Sequence, residues 1–112
     1  MMNKSSKEEF VQIMSVEEFH EEDEEMQCFE IDDKEILICY VEEEDTFHAV
    51  SGICTHEFVE LCDGELEDSC VICPLHFSRF DLRDGAALDP PAKEPLKVYS
   101  IKIEEDMIFI KI

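Results

Sequence analysis

Apolar residues in this 112-residue chain recur in short bursts with a period of two. Near the C-terminus Tyr99, Ile101 and Ile103 alternate along one arm, and Ile108, Ile110 and Ile112 along the next. That spacing predicts a hairpin of residues 96–104 and 107–112, turning at Glu105-Asp106, with one dry face and one wet face. Upstream, residues 10–14 read as a strand. Ser15-Val16-Glu17-Glu18 has the form of a helix capping box, which predicts a short helix near 15–20. Strands are expected at 26–31 and 35–41, joined by a turn at Asp32-Asp33-Lys34, then at 46–50 and 70–72. Asp63-Gly64 and Asp84-Gly85 mark further turns, the second after Phe80-Asp81-Leu82. The fold class is therefore all-β, a small antiparallel sandwich or barrel with at most one short helix.

Length fits one domain, assigned to residues 10–112 behind a frayed start at 1–9. A chain of this size buries roughly 65% of its unfolded surface, enough for its own core. Its longest apolar stretch, Ile36-Leu37-Ile38-Cys39-Tyr40-Val41, is far short of the ~20 residues of a membrane span. The N-terminus has neither an apolar export core nor a twin-arginine pair, and the reading is a soluble cytoplasmic protein. Thirty acidic against nine basic residues give a formal net charge of −21. Nucleic acid and anionic membranes are excluded as partners, because phosphate binding needs clustered Lys and Arg. The acidic runs at 21–25, 42–45 and 104–106 give a solvated surface.

Six cysteines without a secretion signal point to metal binding or buried thiols rather than a disulfide framework. Two belong to mixed pairs, Cys54-Thr55-His56 and Cys73-Pro74-Leu75-His76, with sixteen residues between His56 and Cys73. A structural zinc site usually draws Cys-Cys followed by His-His. One thiolate and one imidazole from each half instead suit a [2Fe–2S] cluster with two unlike irons, a Rieske centre. Of the other cysteines, Cys28 and Cys39 lie in strand-like runs and read as small core residues. Cys62 and Cys70 flank the segment between the pairs and read as buried thiols, with a local disulfide or an oxidation-sensitive thiol as alternatives. His20 and His48 lie outside the motif and take ordinary structural roles.

From residue 46 onward the chain resembles the Rieske ferredoxin family, particularly the soluble ferredoxin components that feed aromatic-ring dioxygenases. The resemblance is carried by the two Cys/His pairs, Asp63-Gly64-Glu65-Leu66, Phe80-Asp81, Gly85, Pro90-Pro91 and the final hairpin. It implies a three-layer antiparallel architecture with a cluster-binding subdomain whose two loops hold one [2Fe–2S] cluster. It also implies that Cys54 and Cys73 bind the inner iron and His56 and His76 the outer iron near solvent. Ser78, Pro74, Phe80, Pro90 and Pro91 would surround that site. Pro74 stiffens the second loop, and Pro90-Pro91 lies where the family has a third, proline-bearing loop.

Departures from the respiratory-complex version of the pattern bear on potential. That version braces its loops with a disulfide between positions that here hold Val59 and Leu75, so no such brace is expected. It also offers a serine and a tyrosine hydroxyl to sulfur. Ser78 keeps the first, and Phe80 lacks the second. Fewer hydrogen bonds to sulfur, together with the carboxylates of Glu57, Glu60 and Asp63, predict a potential of roughly −150 to 0 mV, the low part of the Rieske span.

The resemblance implies a one-electron carrier that is not itself an enzyme, a monomer when free. It would be reduced by a reductase and oxidised by a terminal oxygenase or another acceptor, with the acidic surface steering it toward basic docking partners. Two alternatives are a Rieske-like small subunit of a larger reductase, such as nitrite reductase, and a zinc-stabilised interaction module.

Overall fold

The structure is a computed structural model that describes residues 10–112 other than Glu57. The expected frayed start at 1–9 lies outside the described residues. In chain order the elements are β1 (Phe10–Ser15), α1 (Val16–Glu21), β2 (Met26–Ile31), β3 (Lys34–Val41), β4 (Thr46–Ser51), β5 (Glu65–Glu67), β6 (Cys70–Ile72), β7 (Arg79–Asp81), β8 (Val98–Glu104) and β9 (Met107–Lys111). Single-turn 3-10 helices lie at Glu42–Glu44 and Leu61–Asp63. The chain divides into two compact units, 1–24 with 99–112, and 25–98.

In the first unit β1 and β8 flank β9, all antiparallel. The hairpin turns at Glu105-Asp106 as the alternation predicts, through two left-handed residues (φ 51 and 67°). Consecutive left-handed residues match the right-handed twist of the flanking strands. Ile108 and Ile110 are fully buried and Tyr99 nearly so. The dry face fades at Ile103, which is exposed beside the turn, where the hairpin end meets solvent. The helix begins one residue later than expected because Ser15 is its cap. The Ser15 hydroxyl accepts from the Glu18 N–H at 3.0 Å, and the Glu18 carboxylate accepts from the Ser15 N–H at 3.1 Å.

In the second unit β2, β3 and β4 pair antiparallel in sequence order. The β2–β3 turn is Asp32-Asp33, both left-handed, a conformation that Asp tolerates better than most residues; Lys34 is already in the strand. A smaller sheet follows, ordered β5-β6-β7. Gly64 enters it where a Cβ would collide with the Ile72 carbonyl oxygen. Gly85 turns at φ 80°, and its carbonyl accepts from Leu96 N–H at 2.8 Å. One buried cluster joins both sheets and the connections between them. It contains Leu37, Cys39, Val41, Val50, Cys54, Leu61, Val71, Cys73, Phe80, Leu82, Ala92 and Leu96.

Two cysteine expectations need correction. Cys28 is not a core thiol, and Cys62 is neither a thiol nor part of a local disulfide. The two are bonded to each other across a sequence separation of 34, with Cα atoms 6.0 Å apart. The fold lays the turn at Leu61–Asp63 against β2, which no local spacing announces. Cys39 is buried as expected, and burial raises its thiol pKa far above the ordinary range. Cys70 is a half-buried thiol rather than a buried one, also raised, chiefly by burial.

Candidate metal centre

Both Cys/His pairs sit in loops closed by the same backbone pattern. In the first, Cys54 N–H donates to Val59 O at 2.9 Å and Cys54 O accepts from Phe58 N–H at 3.0 Å. In the second, Cys73 N–H donates to Ser78 O at 2.9 Å and Cys73 O accepts from Phe77 N–H at 3.1 Å. Each loop thus turns back on its cysteine over the same number of residues, through a left-handed phenylalanine (Phe58 φ 59°, Phe77 φ 62°). Ordinary side chains avoid that region, so the two bulky residues mark backbone held by its surroundings.

The four donors separate by burial. Cys54 is 0% and Cys73 1% exposed, and both belong to the hydrophobic cluster. His56 is half-buried and His76 exposed, with ring centroids 5.3 Å apart and planes at 65°. Two buried thiols and two neighbouring imidazoles at the surface fit a binuclear group with one dry and one solvent-facing end. Among the described residues no three His, Cys, Asp or Glu side chains gather closely enough to hold a single metal ion.

A third loop supports both. Thr55 Oγ1 donates to Glu94 O at 2.8 Å from the first loop, and Ala92 N–H donates to the buried Ser78 Oγ at 3.3 Å in the second. This loop contains Pro90-Pro91, joined by a cis peptide bond. It is pinned to β7 by Leu88 N–H donating to Arg79 O at 2.8 Å. Arg79 also grips Asp89 with Nε at 2.7 Å and Nη2 at 3.1 Å. That guanidinium holds the Asp89 carboxyl below its ordinary range.

The remaining residues singled out by the sequence lie around this centre or away from it. Phe80 is fully buried in the cluster that contains both cysteines and presents no hydroxyl, and Pro74 lines a hollow with Asp63, Gly64, Glu65, Ile72, Cys73 and Phe77. Glu60, Asp63 and Glu65 face solvent in this region; Glu57 lies outside the described residues. His20 packs edge-on against Phe19, and His48 Nε2 lies 3.6 Å from Glu44 Oε1. That is too long for a hydrogen bond, and the contact becomes an ion pair only when the ring is protonated. Sequence reasoning missed the exposed Phe58 (80%) and Phe77 (72%). The available signal was their identical offset, four residues beyond each cysteine.

The Rieske [2Fe–2S] domain family matches residues 9–100. The chain belongs to that family. A Rieske relative, the ferredoxin component of the naphthalene 1,2-dioxygenase/salicylate 5-hydroxylase systems of a Ralstonia species, is 38% identical over 81 residues, 72% of this chain and 76% of its own. The ferredoxin component of the alkene monooxygenase system of Xanthobacter autotrophicus is 34% identical over 103 residues, 91% of this chain and 80% of its own. Among solved structures, the ferredoxin of carbazole 1,9a-dioxygenase from Nocardioides aromaticivorans superposes with a TM-score of 0.79 at 25% identity, covering 90% of this chain and 95% of that one. The Rieske fold class read from the sequence therefore holds, with a single short α-helix among the described residues. So does the cofactor class, a Rieske-type [2Fe–2S] cluster, and the zinc alternative falls with it. No helix among the described residues is long and apolar enough to cross a membrane.

Proposed function

We propose that residues 10–112 act as one Rieske domain, a soluble cytoplasmic one-electron carrier between a reductase and a terminal oxygenase, with Cys54, His56, Cys73 and His76 holding the cluster. The sorting of the four donors carries this reading: both thiols lie inside the core, and both imidazoles sit outside it with ring centroids 5.3 Å apart. When bound, the cluster supplies a site that takes up and gives back a single electron. The protein supplies the rest. Cys54 and Cys73 keep water from the inner end, while His56 and His76 bring the outer end within reach of a docked protein.

The relatives named above are ferredoxin components of dioxygenase and monooxygenase systems, which supports an electron-transfer role rather than catalysis by the chain itself. The net charge of −21 favours partners with basic docking faces. Anaerobically purified protein should contain iron and acid-labile sulfide, and when reduced should give an electron paramagnetic resonance signal with mean g below the free-electron value. Its midpoint is expected at roughly −150 to 0 mV. A colourless protein lacking both elements after reconstitution would end this reading. Electron-transfer rate with a reductase should also fall as salt is added.

A further inference from the structure

We infer that Cys28 and Cys62 form a thiol–disulfide exchange site that braces the first ligand loop from behind and sets how firmly the cluster is retained. The inference rests on the reading of Cys54 and His56 as ligands. At the base of that loop Leu61 N–H donates to Gly52 O at 2.8 Å and Ile53 bridges to Glu60, so the segment from 53 to 60 stands as a closed finger. Cys62 follows this closure directly, in the turn at Leu61–Asp63, and its bond to Cys28 fastens the turn to β2. Gly52, on the opposite side of the base, lies so near that a Cβ there would stand 3.3 Å from Cys28 Sγ. The disulfide is thus bonded to one end of the finger and lies against the other.

The respiratory pattern ties the two ligand loops to each other, through positions that here hold Val59 and Leu75. This chain instead ties one loop to a sheet. Both bonded cysteines are half-buried and pack against the core. In a reducing compartment a disulfide is held only conditionally, and such bonds are typically transient or regulatory. A small dithiol or dithiol protein would attack one sulfur to give a mixed disulfide, then close on itself. Two electrons and two protons pass to the chain, the Cys28–Cys62 bond breaks into two thiols, and the reductant leaves as its own disulfide. Removing the cross-link frees the intervening segment, which contains β3, β4 and the first loop, to open more often.

The test compares oxidised protein with protein treated with dithiothreitol, first in the unaltered sequence and then in a variant that lacks both cysteines. Iodoacetamide labelling under denaturing conditions, read by peptide mass, reports the bond. Decay of visible absorption in the presence of an iron chelator reports cluster retention. Without reductant Cys28 and Cys62 should escape labelling; after reduction both should label, and iron release should accelerate on the order of tenfold. A Cys28→Ala/Cys62→Ala variant should release iron at the fast rate with or without dithiothreitol. The melting midpoint of cluster-free protein should fall on reduction.

Labelling of both cysteines without reductant would overturn the inference, as would an unchanged release rate. Equal acceleration of wild type and double variant would also overturn it, because the reductant would then be acting on the cluster itself. A protein that binds no cluster at all would sink the ligand assignment instead, and the melting shift would still decide whether the brace exists.

Discussion

The two ligand loops make the same turn with different anchors. Each folds back on a buried cysteine through a left-handed phenylalanine, with matching hydrogen bonds at 2.9 to 3.1 Å. The first loop closes over Cys-x-His and is fixed at its base by backbone bonds and the Cys28–Cys62 disulfide. The second closes over Cys-x-x-His with Pro74 inside it. Behind it stand the buried Ser78 hydroxyl, the Arg79–Asp89 pair and the third loop. A shared backbone pattern therefore reflects what must be presented, a sulfur inward and a ring outward. The unlike anchors reflect what lies near each loop. The proline-bearing loop reaches both, but only the first is also tied to β2 by a disulfide. Only the second has a buried hydroxyl and the Arg79–Asp89 pair behind it.

The strongest way to break the comparison is to remove its shared feature. Cys54→Ser and Cys73→Ser should each abolish cluster binding, leaving iron and acid-labile sulfide near background. Hard hydroxyls replace thiolates poorly as ligands for this cluster. If one variant retained its full iron content, the loops would not be equivalent and the missing donor would have to be sought elsewhere.

Ser78→Ala sharpens the difference between the anchors. It leaves the buried Ala92 N–H without its partner, at a cost of about 1 kcal/mol for a bond already long at 3.3 Å. The Ser78 hydroxyl accepts in that bond, and its proton is the one proposed to reach a cluster sulfur. Chemical denaturation and a redox titration together separate the two roles. A loss of stability with a lower midpoint assigns both. A loss of stability with an unchanged midpoint makes Ser78 an anchor of the third loop only.

Much of this arrangement was legible in the sequence where the information is local. The period of two along Tyr99 to Ile112 marked the final hairpin, and Ser15 to Glu18 marked the capping box. The Cys/His pairs declared their chemistry because donor type and spacing are both carried within a few residues. β5 and β7 escaped notice because each sets a single apolar residue between charged ones, Glu-Leu-Glu and Arg-Phe-Asp, whereas the equally short β6 is a recognisable apolar run, Cys-Val-Ile. The disulfide escaped because four further cysteines allow several pairings, and only the tertiary approach of the turn at Leu61–Asp63 to β2 selects one. The bonds from Thr55 to Glu94 and from Ala92 to Ser78 share this character, joining residues 39 and 14 positions apart.

Phe58→Gly and Phe77→Gly test whether the shared turn is equally strained in both loops. A left-handed non-glycine residue costs roughly 1–2 kcal/mol, of which glycine's greater freedom in the unfolded chain returns part. Each variant should therefore gain about 0.5–1 kcal/mol in denaturant unfolding. Both should also slow electron transfer to the partner, since the exposed rings beside His56 and His76 are lost. A gain in one loop only would show that the other holds its phenylalanine by contacts that offset the strain.

The smallest expected effect concerns the second loop's polar anchor. Asp89 carries a depressed pKa in the folded protein, caused first by its hydrogen bond from Arg79. A carboxyl lowered on folding stabilises the protein fully above its unfolded value, near 3.9, and this contribution disappears as pH falls through the lower folded value. Wild type should therefore melt slightly above Asp89→Asn at neutral pH, and the gap should close on acidification below about pH 4. Because both partners are largely solvent-screened, the gap should also narrow with salt. A difference that stayed constant down to pH 2 would mean that Asp89 acts through its neutral hydrogen bonds and packing. The third loop would then be held by shape rather than by charge.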